Sequence, residues 1–116
     1  MPHRTFDEFK AEREAGNARI LACDHQGIKR FFRLDAAVYE DGPLEGRTKE
    51  LLGLVGSMVL RCNDCVDYHL EQCVKAQWSR EEIVDAMNVA LIVGGSIVIP
   101  HMRHAVASLD VLLPAE

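Results

Sequence analysis

The sequence offers no apolar run long enough to cross a bilayer. Its longest, "VALIVGGSIVIP" from Val89 to Pro100, spans 12 residues, against the ~20 that a membrane helix requires. It reads as a buried helix or as an interface between subunits. The N-terminal "MPHRTFDEFK" is charged and contains no apolar core of a secretory signal. The compartment expected by default is therefore the cytoplasm, where thiols are kept reduced. No stripe of Lys and Arg occurs, and the formal net charge is −5. A nucleic-acid partner, which needs a basic face, is excluded on that ground. Repeats, low-complexity tracts, linkers and period-2 alternation are all missing, and "SIVI" is short and has no partner run. No P-loop surrounds "GGS" at 94–96, and no Ser-His-Asp arrangement is apparent.

What is present is helical patterning over 116 residues, a length that suits a single domain spanning 1–116. Thr5 and Glu8 fit a capping box that opens a helix running to about Cys23, weakened in its middle by Gly16 and Asn17. Ile28, Phe31, Phe32, Val38 and Tyr39 recur at helical spacing, with Asp35 on the same stripe as a cap that divides the segment or as a buried polar group. The turn-rich "EDGPLEG" ends that unit. A helix from about Thr48 to Leu60 is apolar on nearly every side and should be central, and Glu50 is its one acid. The stripe through Glu50, Gly53, Ser57 and Arg61 is small or polar, so a second helix can approach it closely.

A helix from about Cys62 to Ala76 should follow. Ser79 to Glu82 then form a second capping box, opening a helix whose core face carries Ile83, Met87, Ala90 and Leu91. Gly94 and Gly95 mark its end or a close contact. A last helix has Pro100 in its first turn, Met102, Ala105, Val106, Leu109 and Leu112 on its core face, and Pro114 just beyond its end. The fold class is thus all-α, a bundle of about five to seven helices.

Three of the four cysteines fall within "RCNDCVDYHLEQC". Cys62, Cys65, His69 and Cys73 are spaced 3, 4 and 4, which places them on one side of a helix. Such a set contains four legitimate zinc ligands. On one helix, however, Cys62 and Cys73 would lie about 16 Å apart at 1.5 Å per residue, too far to share one ion, and no second CxxC is present. A dithiol fits better. Cysteines in a first helical turn feel the positive end of the macrodipole and its unpaired N–H groups, both of which favour thiolate. His69, one turn after Cys65, can take the thiol proton, and Glu50 is the candidate acid to orient its ring. A thioredoxin fold is excluded because no strand precedes the CxxC.

Cys73 and Cys23 read as small buried hydrophobes. His101 and His104 could share a face with Ser108 but read as helix surface or subunit contact. Arg61 is either a thiolate-stabilising cation or a solvated helix-end charge. Trp78 and Phe31 read as core or interface.

On these residues the sequence resembles the carboxymuconolactone decarboxylase family, specifically its alkylhydroperoxidase D-like branch and its small one-domain members. The resemblance is carried by "KELLGLVGSMVLRCNDCVDYH", with Glu50, then Cys62 and Cys65, then His69, and by the downstream "SREEIVDAMNVALIVGGSIVIPH". It covers about residues 28 to 112. It implies an all-α fold assembled as a homo-oligomer, a trimer or hexamer, with a redox dithiol that reduces hydroperoxides or exchanges disulfides with a thiol reductant. The redox element would be the Cys62–Cys65 pair itself, with no separate cofactor or metal. Carried over, Cys65 would attack peroxide, Cys62 would resolve the sulfenic acid, and His69 with Glu50 would relay the proton. Larger members have a histidine just before the second cysteine, where this chain has Asp64, a charge that disfavours thiolate. The family's decarboxylases lack the cysteine pair. The alternatives are a lyase using His69 and Glu50, and a non-catalytic, redox-sensing oligomeric scaffold.

Overall fold

The structure, a computed structural model, describes residues 5–114. Among them are six α-helices and one short 3-10 turn, without a strand: α1 (Phe6–Leu21), α2 (Gln26–Val38), α3 (Gly46–Val59), α4 (Asn63–Lys75), α5 (Arg80–Gly94) and α6 (Ile99–Leu112). The all-α expectation holds, and no helix among the described residues is long and apolar enough to cross a membrane. The chain divides after Glu40 into two units, α1–α2 and α3–α6.

In the first unit, Thr5 caps α1 by accepting the Glu8 N–H at 3.1 Å, and Phe9, buried, meets Phe6 edge-on at 6.0 Å. Cys23 is exposed, not buried; its thiol donates to the Arg19 carbonyl at 3.5 Å. Asp35 neither caps a helix nor is buried. It sits exposed inside a continuous α2, whose start is capped instead by His25 Nδ1, which accepts the Gly27 and Ile28 N–H groups. Phe31, expected to be covered, is 66% exposed in this chain.

The second unit holds the main core. Leu54 and Met58 of α3, Val66, Leu70 and Cys73 of α4, Ile83, Met87 and Ala90 of α5, Val98, and Ala105 and Leu109 of α6 are all fully buried. α3 packs on both α4 and α5, and α4 packs on α6, which makes α3 the inner helix that its apolar circumference implied. The capping box at Ser79 is complete, with Glu82 N–H on Ser79 Oγ at 3.1 Å and Ser79 N–H on Glu82 Oε1 at 2.9 Å. That backbone bond holds the Glu82 carboxyl below its ordinary pKa. Trp78 is half-buried against the core, its indole N–H on the Arg47 carbonyl at 2.8 Å and the Arg47 guanidinium 3.7 Å over its ring.

Two helix ends share one termination device. After α3, Arg61 takes a left-handed backbone (φ 62°), Arg61 N–H bonds Met58 O at 3.0 Å, and Cys62 N–H bonds Ser57 O at 3.0 Å. After α4, Gln77 (φ 68°) repeats it, with Gln77 N–H on Val74 O and Trp78 N–H on Cys73 O. These paired bonds satisfy carbonyls that a helix end leaves without partners, in a motif that normally uses glycine at the left-handed residue. The absence of glycine at both positions hid them in the sequence. Gln77→Gly should therefore raise stability by roughly 0.5 kcal/mol, since about 1–2 kcal/mol of left-handed strain outweighs the roughly 0.5–1 kcal/mol entropic cost of glycine. An increase in the urea midpoint at constant slope checks this.

Candidate active site

The turn that ends α3 also begins α4. Cys62 receives its N–H bond to α3 as just described and is at the same time the N-cap of α4, its Sγ accepting the Cys65 N–H at 3.3 Å. The helix starts at Asn63, one residue later than the pattern suggested. Cys62 and Cys65 are joined as a disulfide, their Cα atoms 5.3 Å apart, within the ordinary span for such a bond. Cys65 is exposed and Cys62 half-buried, so the pair can be reached from solvent at the positive end of the helix.

One turn further on, His69 is buried against α3, and its Nδ1 lies 2.8 Å from Glu50 Oε2. Glu50 Oε2 accepts, so Nδ1 carries a hydrogen and Nε2 is the nitrogen that can exchange a proton. The approach is made possible by Gly53, one turn after Glu50. A Cβ built there would lie 2.6 Å from His69 Cε1, 2.7 Å from Nδ1 and 2.9 Å from Nε2. The small-residue stripe read from the sequence is thus the slot for an imidazole. Ser57, next on that stripe, is buried, and its hydroxyl donates back to the Gly53 carbonyl at 2.6 Å.

Cys73, two turns after Cys65, is fully buried and belongs to the core. Burial first, and then the negative charge of Glu50, push its thiol from 9.0 up to about 12. So buried and so protonated, it is an inert thiol.

A second cluster on the other flank of α4 was not legible. His101 and His104 are half-buried at the α4–α6 seam rather than on a free surface. His101 Nδ1 lies 2.8 Å from Asn63 Oδ1. His104 Nε2 lies 2.9 and 3.0 Å from the two oxygens of Asp67, which also accepts the Ser108 hydroxyl at 2.6 Å. The structure thus gathers a Ser, a His and an Asp, but the carboxylate is the hub. The serine's only proton is spent on Asp67, so this is no nucleophile–base relay. Asp67 is buried, and a buried carboxylate demands such partners. The spacing Asn63/Asp67 against His101/His104/Ser108 was the available signal, but only the docking of α6 on α4 gives it meaning. Arg61 is exposed, in the left-handed link itself. Among the described residues no group of three or more His, Cys, Asp or Glu side chains is arranged to hold a metal ion.

This fold and site define an all-helical protein carrying a CxxC disulfide at a helix N-terminus, with a buried His one turn away paired to a half-buried Glu. Residues 28–108 match the sequence model of the carboxymuconolactone decarboxylase family, and the chain belongs to that family. It is 30% identical over 80 residues to protein 4 of the cox locus of Paracoccus denitrificans, covering 69% of this chain and 72% of that one. Two crystal structures of one Thermotoga maritima protein superpose with TM-scores of 0.87 and 0.85 at 52% and 51% identity. They cover 89% of this chain and 90% and 87% of theirs, and one is described as a family protein with a suggested part in the antioxidative response. A family protein from Legionella pneumophila has the same fold, with a TM-score of 0.82 at 24% identity over 90% of this chain and 94% of that one.

Two outcomes follow from the packing. Gly53→Ala should cost roughly 1–3 kcal/mol by overpacking and break the Glu50–His69 contact, visible as a changed His69 imidazole signal in NMR. Cys73 retains its proton in the folded chain where the unfolded chain loses it, so stability attributable to this group is full below pH 9 and lost as pH rises toward 12. Urea midpoints of wild type should fall across that window more steeply than those of Cys73→Ala.

Proposed function

We propose that the protein is a thiol-dependent oxidoreductase that reduces hydroperoxides through the Cys62–Cys65 pair. The observation that carries this reading is the placement of an oriented imidazole, His69 held by Glu50 at 2.8 Å, one turn after a CxxC at the start of α4. Helix-terminal N–H groups favour thiolate, and a neighbouring imidazole can exchange the proton. The antioxidative role suggested for the Thermotoga maritima relative agrees with it.

In the reduced chain, the Cys65 thiolate attacks one peroxide oxygen. The S–O bond forms as the O–O bond breaks, sulfur gives up two electrons, and the departing alkoxide takes from His69 the proton that its imidazole received from the Cys65 thiol. Cys62 thiolate then attacks the Cys65 sulfenic sulfur. The S–S bond forms, hydroxide leaves, and with the proton given up by the Cys62 thiol it becomes water. A dithiol reductant returns the pair to thiols by exchange through a mixed disulfide. Cys65, exposed, suits the first attack, and Cys62, which accepts the Cys65 N–H, suits the second.

The chain is further proposed to work as a homo-oligomer. Val89, Ile92, Val93, Ile97 and Ile99 stand exposed on one apolar stretch, Ile92 at 81%, and exposed apolar surface gathered in this way marks interfaces. Sedimentation as a monomer at micromolar concentration contradicts this.

One equivalent of hydroperoxide added to reduced protein should consume two thiols, and mass spectrometry should locate the link at Cys62–Cys65. Cys65→Ser should lose turnover, and His69→Ala should lower it by about 10²-fold or more. Undiminished turnover in Cys65→Ser overturns the mechanism.

A further inference from the structure

The dithiol helix has two working flanks. Cys65 and His69 occupy one stripe of α4. Asn63 and Asp67, two residues out of step and hence about 200° around the helix, occupy the other and meet α6. There His101 Nδ1 donates to Asn63 Oδ1 at 2.8 Å. His104 Nε2 and Ser108 Oγ both donate to Asp67. The two rungs lie one helical turn apart on α4 and align with one stripe of α6.

Asn63 is the first residue of α4 and follows Cys62 directly. The Cys65 N–H that meets Cys62 Sγ belongs to the same turn. Sulfur is a weak acceptor, so that contact does little to hold the turn, and on its other side the turn hangs from the left-handed Arg61 link. The backbone bonds of Cys62 N–H to Ser57 O and of Val66 N–H to Cys62 O hold the turn at its ends, and the His101–Asn63 bond is placed to steady it from α6. We propose that His101 is a positioning residue for the dithiol: by holding Asn63 it keeps the first turn of α4 aimed at the Cys62 sulfur and favours its thiolate in the reduced protein. His104 and Ser108 act beside it by holding the Asp67 carboxylate on the same flank of α4.

The inference rests on the peroxide-reductase reading only for its consequence. In that cycle Cys62 is the sulfur that must be a thiolate when Cys65 becomes sulfenic acid, and a less stable thiolate slows disulfide formation and lets the sulfenic acid persist. The charged and titratable groups that the site gathers are Arg61 in the connection, Asp64, Asp67 and His69 on α4, Glu50 on α3, and His101 and His104 on α6. A comparison of His101 variants leaves all the others in place.

The test compares reduced wild type with His101→Ala, Asn63→Ala and His101→Asn, whose amide can restore an N–H near the position of Nδ1. The pH profile of Cys62 alkylation is followed by mass spectrometry, the thiol–disulfide equilibrium in glutathione buffers, and the unfolding midpoint alongside. His101→Ala and Asn63→Ala should move the Cys62 profile upward by about half to one pH unit, a roughly three- to tenfold loss of alkylation rate below the midpoint, and shift the glutathione equilibrium toward disulfide. His101→Asn should lie close to wild type. Profiles that coincide for wild type, His101→Ala and Asn63→Ala overturn the proposal, as does His101→Asn shifting as far as His101→Ala. If His101→Ala does not fold, Asn63→Ala against wild type decides the matter alone. Failure of wild type to form the disulfide with hydroperoxide would refute the peroxide-reductase reading and leave this comparison standing.

Discussion

The site depends on a side chain that α3 lacks at residue 53. His69 can lie against α3 and reach Glu50 only because no Cβ stands between the ring and the backbone of Gly53. A buried histidine needs a partner for its ring N–H, and a buried carboxylate needs a donor. Each supplies the other in a slot too narrow for any larger residue. Fixing Nδ1 as the donor to Glu50 also fixes the orientation of the ring, so a packing constraint becomes a chemical one.

The connection between α3 and α4 adds a second constraint. Cys62 ends one helix and caps the next, with Arg61 in a left-handed conformation between them. A sulfur in that place is held by two helices at once and faces backbone N–H groups rather than carbonyls. Cys73 shows what the same element offers without those advantages. Buried in the core and near Glu50, its thiol is pushed up to about 12. Two cysteines of one helix thus differ in environment because one sits at the end and the other in the interior, where burial opposes charge.

Three histidines tie α4 to its neighbours, His69 toward α3 and His101 and His104 from α6. None of these contacts is local in sequence; the pairs are separated by 19, 38 and 37 residues. The α4 helix is therefore positioned by long-range polar pairs as well as by the apolar side chains beneath it. Among the described residues no buried side-chain nitrogen or oxygen lacks a partner, as expected where the cost of an unmet hydrogen bond is high.

The sequence by itself determined the helices, because apolar spacing and capping residues act within a few residues of chain. Ser79 with Glu82, Pro100, and Gly94–Gly95 fall where they were expected. It also determined the stripe of Cys65 and His69, since residues four apart share a face whatever the fold, and the small stripe on α3 that receives the imidazole. Asp35 misled because an acid on an apolar stripe signals a cap only if the helix breaks there, and α2 runs through it exposed. Arg61 and Gln77 escaped because left-handed helix ends are normally announced by glycine. The Asp67 cluster was out of reach for a different reason. Asn63, His101, His104 and Ser108 are unremarkable one by one, and only the packing of α6 on α4, driven by side chains such as Val66, Ala105 and Leu109 in a common core, brings their polar atoms within bonding distance.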